Sequence, residues 1–253
     1  MSTINQFAIG IDPSGGRAPV TFAVLDEAGV LVHLAAGDRQ LVFEFLDQNE
    51  SACVAINAPR GPNRGLVRER LQKQAVGPAH LRGVDMRSVE FDLKERGLSI
   101  SPTPGRVDLC PAWMQIGFSL YAHLADLGYA SSSTRDAEKF CLETHPHLTY
   151  HALLGQAPLP KPSLEGRLQR QLALFDAGIG IKDPMDFFEE ITRHKLLKGE
   201  LPMGLLYLPE ELDALAAAYV AHLVRQDAGT AEWIGDKAEG QIAVPIRGGP
   251  PRV

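Results

Sequence analysis

Phe7-Ala-Ile-Gly-Ile-Asp12-Pro-Ser-Gly-Gly16-Arg17-Ala-Pro-Val-Thr-Phe-Ala-Val-Leu-Asp26-Glu-Ala-Gly29 holds two apolar, β-rich runs divided by Pro-Ser-Gly-Gly and followed by Asp-Glu-Ala-Gly. A third run, Val30-Leu-Val-His-Leu34, comes next. Short β-rich runs separated by such turn residues predict an antiparallel meander, with strands over about 6–12, 19–25 and 30–35. The first run is apolar at nearly every position, as in a strand covered on both faces of a sheet. It stops at Asp12, and a buried carboxylate is costly unless a cation, a hydrogen bond or a wet cleft compensates it. Asp12 therefore reads either as the cap of the following turn or as the first ligand of a cation or phosphate site.

Beyond the meander, Asp38–Gln48 carries apolar residues at 41, 42, 45 and 46, a helical stripe. Ala52-Cys-Val-Ala-Ile-Asn57-Ala-Pro59 is another apolar run that ends in a polar residue. A helical crossover between two such strands implies parallel pairing and helices on both faces of a mixed sheet. Ligands of such sheets gather beyond the carboxyl ends of the strands, where Asp12 and Asn57 hold corresponding positions. A third apolar run, Lys139-Phe-Cys-Leu-Glu143, ends in a carboxylate again.

The 253 residues allow one large α/β domain with ample core. With 45% hydrophobic and 22% charged residues the composition is that of a soluble globular protein. The net charge of -6 excludes a generally basic nucleic-acid coat, while leaving room for a local patch. Such a patch occurs at 60–83, where Arg60, Arg64, Arg68, Arg70, Lys73 and Arg82 face the single acid Glu69. In isolation it would read first as a solvated helix face; its place directly after a strand end makes a grip on a phosphate backbone an equal reading. Cys53, Cys110 and Cys141 show no CxxC spacing and suit a reducing cytosol. No signal-peptide pattern precedes the first strand and no run reaches 18 apolar residues, so the expectation is a cytoplasmic protein without a membrane partner.

Further helices are expected at Arg87–Gly97, closed by Gly97, and from Pro111 to about Leu127, with a stripe of Trp113, Ile116, Leu120 and Leu124. Segments at about 163–177 and 184–198 read as outer helices. The longest helix begins at Pro209; Glu210 and Glu211 favour its dipole, and Ala214-Leu-Ala-Ala-Ala218 permits close approach to the sheet. The spacing puts Asp213 on that packed face, pointing at the strand ends. Glu143, His145 and His147 alternate as transition-metal ligands on one strand would, with His151 beyond. Pro146 interrupts that strand, so these histidines read first as polar pinning groups. The chain continues through Glu232-Trp-Ile-Gly-Asp236, a glycine-bounded turn, into one more short strand.

GIDPSG, the VAINAP strand end, RSVEFDLKERG with PTP, ETHPHLTYHALLG, LDALAAAY and IGDKAEGQIAVP resemble, in that order, the domain-of-unknown-function family 429. That family is regarded as predicted nucleases of RNase H-like fold, and GIDP and DALAAA also look like Holliday-junction resolvases. The resemblance implies a mixed five-stranded sheet flanked by helices, in a single domain over 1–253, with a helical insertion at about 60–110 and outer helices at about 160–200. It implies a site of Asp12, Asn57, Glu143 and Asp213, with Asp12, Glu143 and Asp213 holding Mg²⁺ or Mn²⁺; the basic run itself leads to the expectation that Arg60, Arg64, Arg68 and Arg70 hold nucleic acid. DNA or RNA, and the oligomeric state, stay open. Hard cations on carboxylates suit phosphodiester hydrolysis, because they activate water and neutralise the departing oxygen. Asn57 departs from the family's usual aspartate and removes one charge. A non-catalytic nucleic-acid-binding module is therefore a rival expectation. GIDPSGG with the Asp26 hairpin also looks like the phosphate hairpin of sugar-kinase, Hsp70 and actin-like ATPases, but residues 60–253 lack the second such hairpin.

Overall fold

The computed structural model describes residues 5–14, 19–49, 51–73, 85–131, 137–191 and 193–246. Gly15, Gly16 and Arg17 of the first turn, Arg82 of the basic segment and the Arg-Gly-Gly-Pro-Pro tail lie outside them. The elements run β1 (Asn5–Asp12), β2 (Val20–Leu25), β3 (Leu31–Gly37), α1 (Arg39–Gln48), β4 (Ser51–Ile56), α2 (Leu66–Lys73), α3 (Ser88–Glu95) and α4 (Ala112–Asp126). They continue with β5 (Phe140–Thr144), α5 (Pro146–Leu154), α6 (Leu164–Asp176), α7 (Asp186–Glu190), α8 (Arg193–Leu197), α9 (Pro209–Gln226), β6 (Ala231–Ile234) and β7 (Ile242–Pro245).

All the strands join one mixed sheet in the order β3-β2-β1-β4-β5-β7-β6. The meander is antiparallel, whereas β1, β4, β5 and β7 are successive parallel neighbours. The sheet thus has seven strands where five were expected. One of the additional strands, β7, is the short strand expected after the glycine-bounded turn, whereas β6, four residues long, is too short for an alternation signal. Of the two, β7 pairs with β5 and β6 pairs antiparallel with β7, so β6 exists only because β7 has already docked. Local rules do explain the other boundaries. Asp38 caps α1 by accepting the Leu41 N–H at 2.9 Å. Pro146 occupies the first turn of α5, which stops β5 at Thr144.

The two sheet faces carry separate cores. Ile9, Ile11, Val54, Ile56 and Cys141 pack with Leu120 and Leu124 of α4, and with Val42 and Leu46 of α1. Ala8, Ala55, Leu142 and Ala243 pack on the other face with α9, whose residues Leu212–Ala221 are all buried. On β1 the face turned to α9 is Ala8, Gly10 and Asp12, by strand alternation. A Cβ on Gly10 would lie 2.0 Å from the Ala218 nitrogen and 2.2 Å from the Ala214 oxygen. Helix and strand backbones therefore meet with no side chain between them, which is why the alanine run sits where it does. No helix of the described residues is long and apolar enough to cross a membrane.

A methyl at Gly10 cannot be absorbed by rotamer change, because the opposing atoms are backbone. Gly10→Ala is expected to cost about 3 kcal/mol or more, read by chemical denaturation. Gly61→Ala, where nothing lies within 4 Å of the added carbon, should change stability by less than about 0.5 kcal/mol.

Candidate active site

At the carboxyl ends of β1 and β4 the Asn57 amide donates to Asp12 Oδ1 at 2.8 Å. The Ser14 hydroxyl donates to Asp12 Oδ2 at 3.2 Å, and Ser14 takes a left-handed backbone (φ 52°) to do so. Asp213, in the first turns of α9, is held by the Lys161 ammonium at 2.5 Å. Both aspartates are buried. Burial raises the pKa of Asp12 against the opposing effects of the Asn57 hydrogen bond and the Lys161 charge. Burial, and next the Asp12 charge, pushes Asp213 up to about 7 despite Lys161. Lys161 is itself shifted upward, because attraction to Asp213 and Asp12 outweighs its partial burial. The structure thus brings together Asp12, Asn57 and Asp213, and adds Lys161, to which the sequence reading assigned no role. The available signal was Pro160-Lys161-Pro162, which stiffens the backbone on both sides of the cation. Its loop is pinned further by Arg170 Nη1 on the Leu159 carbonyl (2.8 Å) and by the contact of Gly166 with the Pro160 carbonyl.

Glu143 belongs to a different network. It pairs in register with Ile56 and Ile242, and Ile56 pairs with Ile11. Its side chain therefore projects to the face of α3 and α4, opposite to that of Asp12. Its oxygens accept from Arg87 Nη2 at 2.6 Å and Nη1 at 2.8 Å, and from the Arg60 N–H at 3.1 Å. Arg87 also reaches Glu90 at 2.9 Å, while Glu90 accepts from the Thr103 N–H and hydroxyl. Glu239 gathers the Arg64 N–H, the Ser88 N–H and the Ser88 hydroxyl. Three buried glutamates thus fasten the loops around 60–64, 87–88 and 103 to the sheet end. Burial opposes charge on Arg87, but Glu143 and Glu90 more than offset it and its pKa is raised.

The basic segment is exposed at Arg60, Arg64, Arg68 and Arg70. Arg60 Nη1 rests on the Ser131 carbonyl at 3.0 Å and Arg64 Nη1 on the Ala238 carbonyl at 2.8 Å. Arg70 pairs with Asp92 at 3.5 Å and lies over the Phe91 ring. The histidines do not share a strand: β5 has ended, and His147 and His151 lie on α5. The His145 and His147 rings meet edge-on, 6.4 Å apart. His145 Nδ1 is buried without a partner among the described residues. Burial, then the nearby His147 and Lys161, lowers its pKa to about 4, so the ring is neutral at pH 7. Among the described residues no group of three or more His, Cys, Asp or Glu is arranged around a common metal position.

The chain is an α/β protein with a mixed sheet flanked by helices, in which Asp12 ends β1 and Asp213 of α9 is packed beside it. The chain belongs to the family described as protein of unknown function DUF429, whose profile matches residues 10–239. Searches of curated proteins and of solved structures returned no match.

Two expectations follow from these networks. Arg87→Leu leaves Glu143 and Glu90 buried without their cation and should cost about 3–5 kcal/mol in denaturant titration. The pH dependence carries two slopes of opposite sign. Asp213 binds its proton more tightly folded than unfolded (ordinary value about 3.9). Its contribution is therefore full below about pH 4 and is lost as pH rises to about 7. His145 releases its proton on folding, so its contribution is lost as pH falls from about 6.5 to about 4. Denaturation from pH 4 to 8 should show that Asp213→Asn flattens the first slope, to which Asp12 also contributes, and His145→Gln the second, to which His147 and His222 also contribute.

Proposed function

We propose that this protein is a divalent-cation-dependent phosphodiesterase of RNase H-like type acting on nucleic acid, with Asp12, Asn57 and Asp213 as its cation site. The observation that carries this reading is the buried Asp12–Asp213 pair, whose carboxylates disfavour each other's charge at the carboxyl edge of neighbouring parallel strands. Parallel neighbours ending at Asp12, Asn57 and Glu143 are also what the resemblance to RNase H-like nucleases implies. Two carboxylates and an amide carbonyl are hard oxygen donors, and they fit one Mg²⁺ or Mn²⁺ that keeps several waters. Such a cation, when bound, supplies water activation and charge neutralisation on phosphate oxygens.

The remaining roles fall to the chain's own groups. Asn57 and Ser14 hold the two oxygens of Asp12 and so orient the carboxylate. Lys161 neutralises Asp213 in the free protein; once a cation takes over that duty, its ammonium is free to meet a phosphate oxygen. His145 keeps a neutral ring beside Lys161 and can take up a proton there. In this reading Glu143 positions the Arg60 loop rather than a cation. Arg60, Arg64, Arg68 and Arg70 present the substrate-facing charge.

One observation favours the rival reading of a non-catalytic nucleic-acid-binding module. The Lys161 ammonium already pairs with Asp213, and Asn57 spends its amide on Asp12, so each carboxylate has a partner without a divalent ion. Calorimetric titration with Mg²⁺ and Mn²⁺, paired with a nucleic-acid cleavage assay, separates the two. Asn57→Asp adds a charge and is expected to tighten cation binding by roughly tenfold and to raise cleavage. Asp12→Asn is expected to lose both. Absence of cation binding in wild type and Asn57→Asp alike overturns the phosphodiesterase reading and leaves the binding module.

A further inference from the structure

In the gap between β5 and the loop that precedes β7 lies a cavity of about 160 Å³, lined by Arg60, Tyr121, Glu143, Trp233, Lys237 and Gln241 among others. It opens where β7 begins only at Ile242, opposite Glu143, leaving the earlier residues of β5 without a β7 partner. The volume is well beyond the roughly 30 Å³ share of a single water. Its charge is one-sided. Glu143 is already neutralised by Arg87, whereas among the described residues neither exposed Arg60 nor exposed Lys237 has an acidic partner, and Arg60 Nη1 rests on the Ser131 carbonyl. Trp233, half-buried, lines the same cavity and also packs against the α9-side core. The Gln241 amide is fixed by donating to the Gly235 carbonyl at 3.0 Å, which holds the loop carrying Lys237 against that wall.

Two cations with no acidic partner among the described residues, beside a tryptophan, match the two parts of a nucleotide. A phosphate meets Arg60 and Lys237 as charge-assisted acceptor, and a base has a π-face for the indole. We propose that this cavity is a subsite for one nucleotide unit of a single-stranded nucleic acid, with the base against Trp233 and the phosphate between Arg60 and Lys237. The inference deepens the nucleic-acid reading above, and it concerns a cavity whose lining includes none of Asp12, Asn57 and Asp213. It also gives the Glu143–Arg87 clamp a purpose, since that clamp holds the Arg60 backbone at the cavity rim.

Trp233 and Trp113 are the two tryptophans of the chain, so Trp113→Phe makes Trp233 the sole indole reporter. Full-length Trp113→Phe protein is titrated, without divalent cation, with a nucleoside 5′-monophosphate, with a short single-stranded oligonucleotide and with inorganic phosphate. Saturable quenching by the first two, tighter for the oligonucleotide, is expected, with phosphate competing but not quenching. Lys237→Gln and Arg60→Gln should each weaken binding several-fold and lower its salt slope by about one. Loss of the ring in Trp233→Leu should weaken mononucleotide binding by about tenfold, read by competition with a labelled oligonucleotide. The Lys237 variant decides the matter if the tryptophan variant misfolds, because Lys237 is exposed.

No quenching at about 5 mM mononucleotide, above a millimolar Kd, overturns the proposal. So does quenching that Lys237→Gln and Arg60→Gln leave unchanged, or quenching by inorganic phosphate equal to that by the nucleotide. Quenching by the mononucleotide but not the oligonucleotide overturns assignment to nucleic acid in favour of a free nucleotide. Asp12→Asn should leave the quenching intact. Intact quenching without cleavage in wild type therefore sinks the phosphodiesterase reading alone, and cleavage without quenching sinks this subsite alone.

Discussion

Direct contact between the backbones of β1 and α9 governs the rest of this molecule. Gly10 leaves no side chain at the crossing, and a single added carbon would lie within 2.2 Å of backbone atoms of Ala214 and Ala218. At that separation the first turns of α9 stand directly over the end of β1. Asp213 then arrives beside Asp12 as a consequence of packing, without a dedicated loop to carry it. The close-packed interior transmits the constraint: the alanine run, the glycine and the two acids are one arrangement. Each acid suppresses ionisation of the other because neither can move away along a rigid helix or strand.

The two faces of the sheet resolve their buried carboxylates differently. On the α9 face the positive charge comes from one lysine on a loop between prolines, and the resulting charge balance is incomplete enough to hold Asp213 near neutrality. On the α3 face, Arg87 forks into Glu143 with two short bonds and reaches Glu90 with a third contact. A planar guanidinium suits that fixed bidentate geometry, whereas an ammonium is a point charge that can be traded for another cation. The first arrangement is suited to exchange of its cation, the second to permanence. This contrast is the reason for placing chemistry at Asp12 and Asp213 and scaffolding at Glu143.

Much of the architecture was readable along the chain because its signals are local. The meander, the helix capped by Asp38, the parallel strand ending at Asn57 and the helix begun by Pro209 each follow from periodicity and turn chemistry over a few residues. Strand β6 was less legible for the same reason. Its four residues carry no period, and it pairs with β7, which itself joins the sheet through β5, remote in sequence.

The candidate site divides along similar lines. The residue types at 12, 57, 143 and 213 are marked in the sequence because polar groups end apolar runs or enter a small-residue helix. Which of them share a face is a matter of register. Glu143 pairs with Ile56, not with Asn57, and one step along a strand reverses the direction of a side chain. Lys161 and Arg87 carry little local signature; each becomes a site residue only when a distant carboxylate is packed against it. The sequence by itself determined the strands, their polar ends and the helix able to lie flat on them, since these depend on neighbours in the chain. Only the tertiary structure decided the pairing of charges, because the energy of a buried charge depends on groups that folding alone brings near.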